Sequence, residues 1–173
     1  MSQYRLEPWA EGDLPLLQRL MGDPVMTEYL GGPESPEKIA DRHKRYQNAR
    51  PGEVEMFKVV DESGESVGSV GYWERDEADL GKVFETGWAV LPEFQGRGIA
   101  TTATELLVER LKAEPKHRYL YAFPGVENHP SNAICRKLGF EHVGMTEYEY
   151  PKDSGNIMRC NDWRLDLFAD QEQ

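Results

Sequence analysis

Cysteine is scarce in this sequence: Cys135 and Cys160 are the only two among 173 residues. Two cysteines are too few for a disulfide-stapled scaffold, and with the four histidines they show none of the spacings of a metal site. We therefore expect free thiols, no bound metal and a cytoplasmic protein.

Long apolar runs and an excess of positive charge are also missing. Residues 1–7 contain no apolar signal region, and no later stretch approaches transmembrane length, so no membrane partner is expected. Asp and Glu number 31 against 20 Lys and Arg, a net charge of −11. This argues against nucleic acid as a partner, because that binding depends on cations meeting phosphates. The acidic excess fits either a cationic substrate or simple solubility.

The apolar patterns predict one α/β domain over residues 1–173, a mixed sheet with helices on both faces. An edge strand (4–8), a meander (55–60, 66–73 and 83–91) and two final strands (141–150 and 157–168) surround a β-α-β unit whose second strand is 118–123. Helices are expected at 14–21 with Asp13 as cap, from Ser35 onward, after Gly98 and at 130–138. A further helical turn is expected at 25–30 and an acidic loop at 74–82.

The rest of the chain is organised around Gln95-Gly96-Arg97-Gly98-Ile99-Ala100-Thr101, which joins the strand at 83–91 to an amphipathic helix. Glycine allows a tight turn and leaves no Cβ in the way of a ligand. The first N–H groups of a helix have no partner inside it, and the helix dipole adds partial positive charge there. Such a place binds phosphate, and Arg97 supplies a cation.

Two common phosphate motifs are excluded in this loop. No Lys-Ser or Lys-Thr pair follows the second glycine, as a P-loop requires, and Thr101 stands where a dinucleotide fingerprint needs its third glycine. Ordinary turn chemistry remains the alternative interpretation of the glycine pair.

The second informative stretch is Glu127-Asn128-His129-Pro130-Ser131-Asn132-Ala133-Ile134-Cys135-Arg136-Lys137-Leu138-Gly139-Phe140. By itself it predicts a capped helix, with Ser131 or Asn128 as N-cap and Gly139 as the left-handed residue at its end. The glycine loop has the pattern Q/R-x-x-G-x-G/A, and the two stretches together resemble the signatures of the GNAT superfamily of N-acetyltransferases. The opening, Tyr4-Arg5-Leu6-Glu7-Pro8-Trp9, resembles the RimJ/RimL-like branch.

The resemblance implies a GNAT-like fold, with a central, mostly antiparallel sheet and a β-α-β core that binds acetyl-CoA. It also implies transfer of an acetyl group from acetyl-CoA to a primary amine, either a protein N-terminus or a small amine. Whether the chain forms a homodimer stays open. The residues implied to hold acetyl-CoA are Ala89 and Val90, through N–H groups where the strand splays from its neighbour, and Gln95, Gly96, Arg97, Gly98, Ile99, Ala100, Thr101, Asn128 and Ser131.

Glu85 is the candidate base, acting directly or through water. It lies on the strand that leads into the glycine loop, and members of this branch often carry Glu there. Val83, Gly87 and Ala89 share its face of the strand and are small or apolar, which would leave room for a ligand. The alternative is a strand Glu paired with Arg or Lys.

Cys135 is the candidate acid, because it stands where many relatives carry Tyr. A thiol would protonate the leaving thiolate with little driving force, and a small buried helix residue is the alternative. The missing Tyr also keeps a second function class open: a non-catalytic module that binds CoA as a sensor or in assembly.

Overall fold

In the computed structural model, which describes residues 3–150 and 152–169, these residues form a seven-stranded sheet with helices on both faces. The strands are β1 (Arg5–Pro8), β2 (Val54–Val60), β3 (Ser66–Glu77), β4 (Gly81–Val90), β5 (Tyr119–Ala122), β6 (Glu141–Glu149) and β7 (Ile157–Asp166). The helices are α1 (Leu14–Met21), α2 (Pro36–Gln47), α3 (Ile99–Ala113) and α4 (His129–Lys137). The predicted α/β sheet is confirmed. None of the described helices is both long and apolar enough to cross a bilayer.

The strand order is β1-β2-β3-β4-β5-β7-β6, and neighbours run antiparallel except β4 and β5, which are parallel. Helix α3 supplies the crossover that a parallel pair requires. Strands β2, β3 and β4 form the predicted meander, and β1 is the predicted edge strand. The crossover places the glycine loop at the end of β4, beside the parallel pair.

Each face of the sheet has its own apolar core. Helices α1 and α2 cover one face, and α3 and α4 cover the other. Because side chains alternate along a strand, β4 contributes to both cores. Its residues on the α1 and α2 face are Glu85, Gly87 and Ala89, in line with Leu91 just after the strand. Those on the α3 and α4 face are Phe84, Thr86, Trp88 and Val90.

The helix starts agree with the predictions in position but not always in chemistry. Asp13 does not cap α1 with its side chain. Its carboxylate instead accepts from the Ala10 N–H at 2.7 Å and from Lys58 Nζ at 3.0 Å. Lys58 lies on β2, so the Asp13 side chain is engaged in an ion pair with the sheet. Ser35 does cap α2, where its hydroxyl accepts from the Lys38 N–H at 3.2 Å.

Two predicted connections differ from the structure. The acidic loop at 74–82 is wrong, because β3 and β4 continue as a hairpin and only residues 78–80 lie between them. The charged residues of this segment are paired: Glu74 contacts Lys116, and Asp76 contacts Lys82. These ion pairs allow a polar segment to remain in the sheet as strand. Residues 25–30 form hydrogen-bonded turns rather than a regular helix.

Asn132 joins α4 to β7 although it is polar and only 2% exposed. Its Nδ2 donates to the carbonyl groups of Gly125 at 2.9 Å and Asn128 at 2.8 Å. Its Oδ1 accepts from Asn161 Nδ2 at 2.9 Å and from Trp163 Nε1 at 2.8 Å. All hydrogen-bonding positions of the buried amide are used, which is the condition for tolerating it in a core.

Asn132→Ala should lower the free energy of unfolding by about 3 kcal/mol, because it leaves the buried Trp163 N–H, the partly buried Asn161 amide and two carbonyl groups without this partner. Asn48→Ala, at an exposed position after α2, should change it by less than about 0.5 kcal/mol. Urea titration measures both variants. A loss below about 1 kcal/mol for Asn132→Ala would mean that other groups or water replace the network.

Candidate active site

Strands β4 and β5 pair over two residues and then part. Phe84 is level with Leu120 and Glu85 with Tyr121, whereas β3 accompanies β4 as far as Val90. We call the point after the Glu85–Tyr121 pair the fork. Within the described residues, β4 has no strand on its β5 side from 86 to 90. Backbone groups along this open edge of β4 are available to a ligand.

The backbone groups of β4 alternate between β3 and the open edge. The Leu91 N–H donates to the Val67 carbonyl at 2.9 Å, so the backbone N–H of Leu91 points toward β3. The backbone N–H of Ala89, two residues earlier, points the same way. The backbone N–H and carbonyl of Val90 point to the open edge, and the carbonyl accepts from Gln95 Nε2 at 2.9 Å. Of the two predicted N–H donors, Val90 is therefore turned to the open edge and Ala89 to β3.

The glycine loop follows β4 through a short 3-10 turn, Pro92–Phe94. Gly96 and Gly98 have φ angles of 80° and 75°, in the left-handed region that favours glycine. A Cβ at either position would meet no atom within 4 Å. Backbone conformation, and not packing, thus requires glycine, and both positions border open space.

Helix α3 begins directly after Gly98, which has no side chain to cap it. Among the described residues, the backbone N–H groups of Gly96 and of residues 98–101 donate to no acceptor. These donors and the dipole of a 15-residue helix form a cluster suited to an anion. Arg97 is exposed beside them, with Nη2 donating to the Glu93 carbonyl at 3.3 Å. The loop has the geometry expected of a phosphate site.

Helix α4 lies on the other side of the open edge. Trp88 Nε1 donates to Ser131 Oγ at 3.3 Å, which ties β4 to the first turn of α4. Asn128 is the N-cap, accepting from the Ser131 N–H at 3.3 Å, so the capping interpretation is confirmed. Trp88, whose backbone N–H points the same way as that of Val90, could not be identified as a site residue from its place in the sequence. Only the strand register reveals it.

Glu85 lies at the fork, on the face covered by α1 and α2. Its side chain is 23% exposed, and its Oε1 accepts from Arg75 Nη1 at 3.1 Å. Burial raises the pKa of the Glu85 carboxyl above its usual range, while Arg75 and, less strongly, the polar indole N–H of Trp73 oppose the rise. The alternative made from the sequence, a strand Glu paired with Arg, is confirmed, and the role of Glu85 as base stays a prediction.

The space expected next to Glu85 is partly filled. A Cβ at Gly87 would lie 3.2 Å from Cη2 of Trp73, so the indole packs directly on this glycine. Trp73 is level with Glu85 on β3, and Arg75 follows two residues later. Sequence reasoning missed both partners of Glu85, because a cross-strand neighbour is identified only once the register is known.

Cys135 is fully buried in the core beneath α3 and α4, whereas Glu85 lies on the opposite face of the sheet. Burial raises the pKa of the Cys135 thiol to about 12. These facts favour the buried helix residue over the acid. Within the described ranges, no three His, Cys, Asp or Glu side chains are grouped to hold a metal ion.

Comparison with family models decides the relationship. Residues 3–141 match the model described as Acetyltransferase (GNAT) domain. This chain belongs to the GNAT acetyltransferases. The matched region includes the fork, the glycine loop and α4, so the resemblance drawn from the two motifs is confirmed. No curated protein was found to match the sequence.

Solved structures of other GNAT proteins share the fold. A GNAT-family acetyltransferase from Bacillus anthracis is 17% identical over 96% of each chain, with a TM-score of 0.80. Spermidine N-acetyltransferase from Vibrio cholerae, in complex with CoA and spermine, is 19% identical over 96% of this chain and 97% of its own, with a TM-score of 0.78. RimL, a ribosomal L7/L12 alpha-N-protein acetyltransferase in complex with CoA, is 19% identical over 96% of this chain and 95% of its own, with a TM-score of 0.79. RimL-like proteins are thus among the structural relatives.

Gly98→Val should weaken acetyl-CoA binding by at least about tenfold, because a branched side chain strains the left-handed backbone and enters the space in front of α3. Gly64→Val is the matched control: Gly64 has φ 89°, a Cβ there would also meet nothing within 4 Å, and it lies in the β2–β3 hairpin. Calorimetry on the folded variants measures both affinities. Equal affinity for the two variants would remove the loop from the binding site.

Proposed function

We propose that this enzyme transfers the acetyl group of acetyl-CoA to a primary amine by direct attack in a ternary complex. The observation that carries the proposal is Glu85, a largely buried carboxylate at the fork, on the strand that ends in the anion-binding loop. A base is needed because an alkyl amine, with a pKa of about 10, is protonated at neutral pH. A module that only bound CoA would have no use for such a base.

Acetyl-CoA fits the donors that this chain presents. The N–H groups of residues 96–101 would hold the pyrophosphate, with Arg97 as an added cation. The side chain of Gln95 fixes the loop to the end of β4. The open edge of β4 would take the pantetheine arm, with Asn128 and Ser131 of α4 beside it. The CoA complexes of the spermidine acetyltransferase and of RimL support this co-substrate.

Two groups of the protein would serve the acyl transfer itself. The Val90 N–H, turned to the open edge, would stabilise the thioester oxygen as it gains charge. Glu85 would remove a proton from the amine, directly or through one water. Because burial raises its pKa, its basicity lies closer to neutral pH, where a general base is most effective.

The acceptor is proposed to be a small amine or a protein N-terminus. The two named relatives act on these classes: one is a spermidine N-acetyltransferase, the other an alpha-N-protein acetyltransferase. On the face covered by α1 and α2, Glu85 and the aromatic ring of Trp73 are level on adjacent strands. Carboxylates and aromatic faces both attract an ammonium group.

Cys135 is at most an auxiliary acid in this proposal. Its thiol, with a pKa raised to about 12, is a weaker acid than an ordinary thiol at about 8.5, so protonating the leaving thiolate would be uphill. The same shift keeps Cys135 in the unreactive thiol form, which argues against an acyl-enzyme. Protonation of the leaving group by solvent remains compatible with the geometry.

Glu85→Gln keeps the shape and removes the basicity, so kcat should fall by about 10²–10⁴-fold while the acetyl-CoA Kd stays within about threefold. The acidic limb of the pH–rate profile should vanish, since activity is lost as pH falls through the raised pKa of Glu85. Release of CoA thiol with a pool of amines and peptide N-termini measures turnover.

Glu7→Gln is the control, because Glu7 pairs with Arg5 on the distant edge strand β1 and should keep wild-type turnover. Wild-type turnover in Glu85→Gln would make Glu85 structural. No CoA release with any acceptor would favour the CoA-binding module.

Cys135→Ala and Cys135→Ser should each cost less than about 100-fold in kcat, because neither removes an essential acid. Intact-mass spectrometry after incubation with acetyl-CoA alone should show no added acetyl group. Cys160→Ala, which removes the other buried thiol, serves as the labelling control. A stable acetyl adduct that disappears only in Cys135→Ala would contradict direct transfer.

A further inference from the structure

Arg75 crosses β4 at the fork. It lies on β3, yet its guanidinium donates to Glu85 Oε1 on β4 at 3.1 Å and lies 4.4 Å from the ring centre of Phe123, which directly follows β5. One side chain thus contacts the strands on both sides of the open edge. Its third contact is Glu77, at 3.5 Å from Nη2.

We propose that Arg75 is the positioning residue of the catalytic base: it fixes the Glu85 carboxylate at the fork and keeps it ionised for the acceptor amine. This rests on the proposed function of Glu85. In this role Arg75 acts through Glu85 and does not touch either substrate.

The electrostatic balance at Glu85 supports this role. Burial disfavours the charged carboxylate, and Arg75 is the strongest opposing influence on its pKa. Glu77 adds a like charge that raises the pKa of Glu85, while Trp73, like Arg75, lowers it. From β6 and β7, Tyr148 and Cys160 also face Glu85, but burial raises the pKa of both, so they are neutral at physiological pH. Among these surrounding groups, Arg75 supplies the positive charge.

The packing of Arg75 explains how the carboxylate is held in place. A guanidinium is planar, so it can stack on Phe123 and donate to Glu85 at the same time. Its Nε is buried and has no hydrogen-bond partner among the described residues. A buried donor without a partner is unfavourable, so the position of this side chain is not explained by hydrogen bonding at Nε. The contacts with Glu85 and Phe123 hold it there instead.

The test measures the titration of Glu85 directly. In protein labelled with ¹³C at the Glu side-chain carboxyl carbon, the signal lost in Glu85→Gln identifies Glu85. In Arg75→Met, its midpoint should move to higher pH by about 1–2 units, because an opposing cation has been removed. The acidic limb of kcat/KM should move by the same amount, and kcat at high pH should also fall, because the carboxylate is no longer held at the fork. Arg5→Met, at the exposed ion pair of β1, should change neither midpoint nor limb.

Two further variants keep the inference testable if Arg75→Met does not fold. Arg75→Lys keeps the charge but not the planar stack, and Phe123→Leu removes the ring while leaving Arg75 and Glu85 in place. Each should shift the midpoint less than Arg75→Met and lower kcat, because the carboxylate is held less firmly.

The outcomes separate this inference from the proposed function. An unchanged Glu85 midpoint in folded Arg75 variants would overturn the inference and leave Glu85 as base. A shifted midpoint with an unmoved rate limb would overturn Glu85 as base, and with it the role given to Arg75.

Discussion

The candidate site depends on the parting of β4 from β5. The chain after β5 is drawn away from β4 by β7: the Pro124 carbonyl accepts from the Asn161 N–H at 2.9 Å, and Gly125 bridges to Cys160. Proline has no N–H to offer β4, which reinforces the separation. Backbone groups seldom remain unpaired in a sheet, because each one costs about as much as a lost hydrogen bond. The open edge of β4 is therefore the place where the proposed pantetheine arm would complete the sheet.

The fork also connects binding to chemistry. Strand β4 carries Glu85 near its middle and leads into the glycine loop, so one rigid element sets the distance between the proposed base and the proposed anion site. The Gln95 side chain hydrogen-bonds the glycine loop to Val90, and the Asn132 side chain hydrogen-bonds α4 to β7. Side-chain amides thus fix the elements on both sides of the open edge. Elements of regular structure hold a site more precisely than loops do.

The features that repeat along the chain could be predicted from the sequence. The four-residue spacing of Ile99, Ala103 and Leu107 gave the position of α3, and the glycine pair marked its start. Features that depend on register could not be predicted. Arg75 and Trp73 contact Glu85 only because β3 and β4 align residue 73 with 85. A run of charges predicted a loop at 74–82, since local sequence does not reveal that Lys116 pairs with Glu74 across the fold.

The same pairing changes how the acidity of the chain is understood. A net charge of −11 fits an attraction for cationic acceptors, and the acidic residues after Trp73 are natural candidates for it. In the folded protein, Glu74 contacts Lys116, Asp76 contacts Lys82 and Glu77 contacts Arg75. A paired carboxylate exerts little field beyond the screening length of about 8 Å, because its partner cancels it. The β3–β4 hairpin is therefore poorly suited to long-range steering, and the proposed acceptor amine would be recognised at short range, beside Glu85.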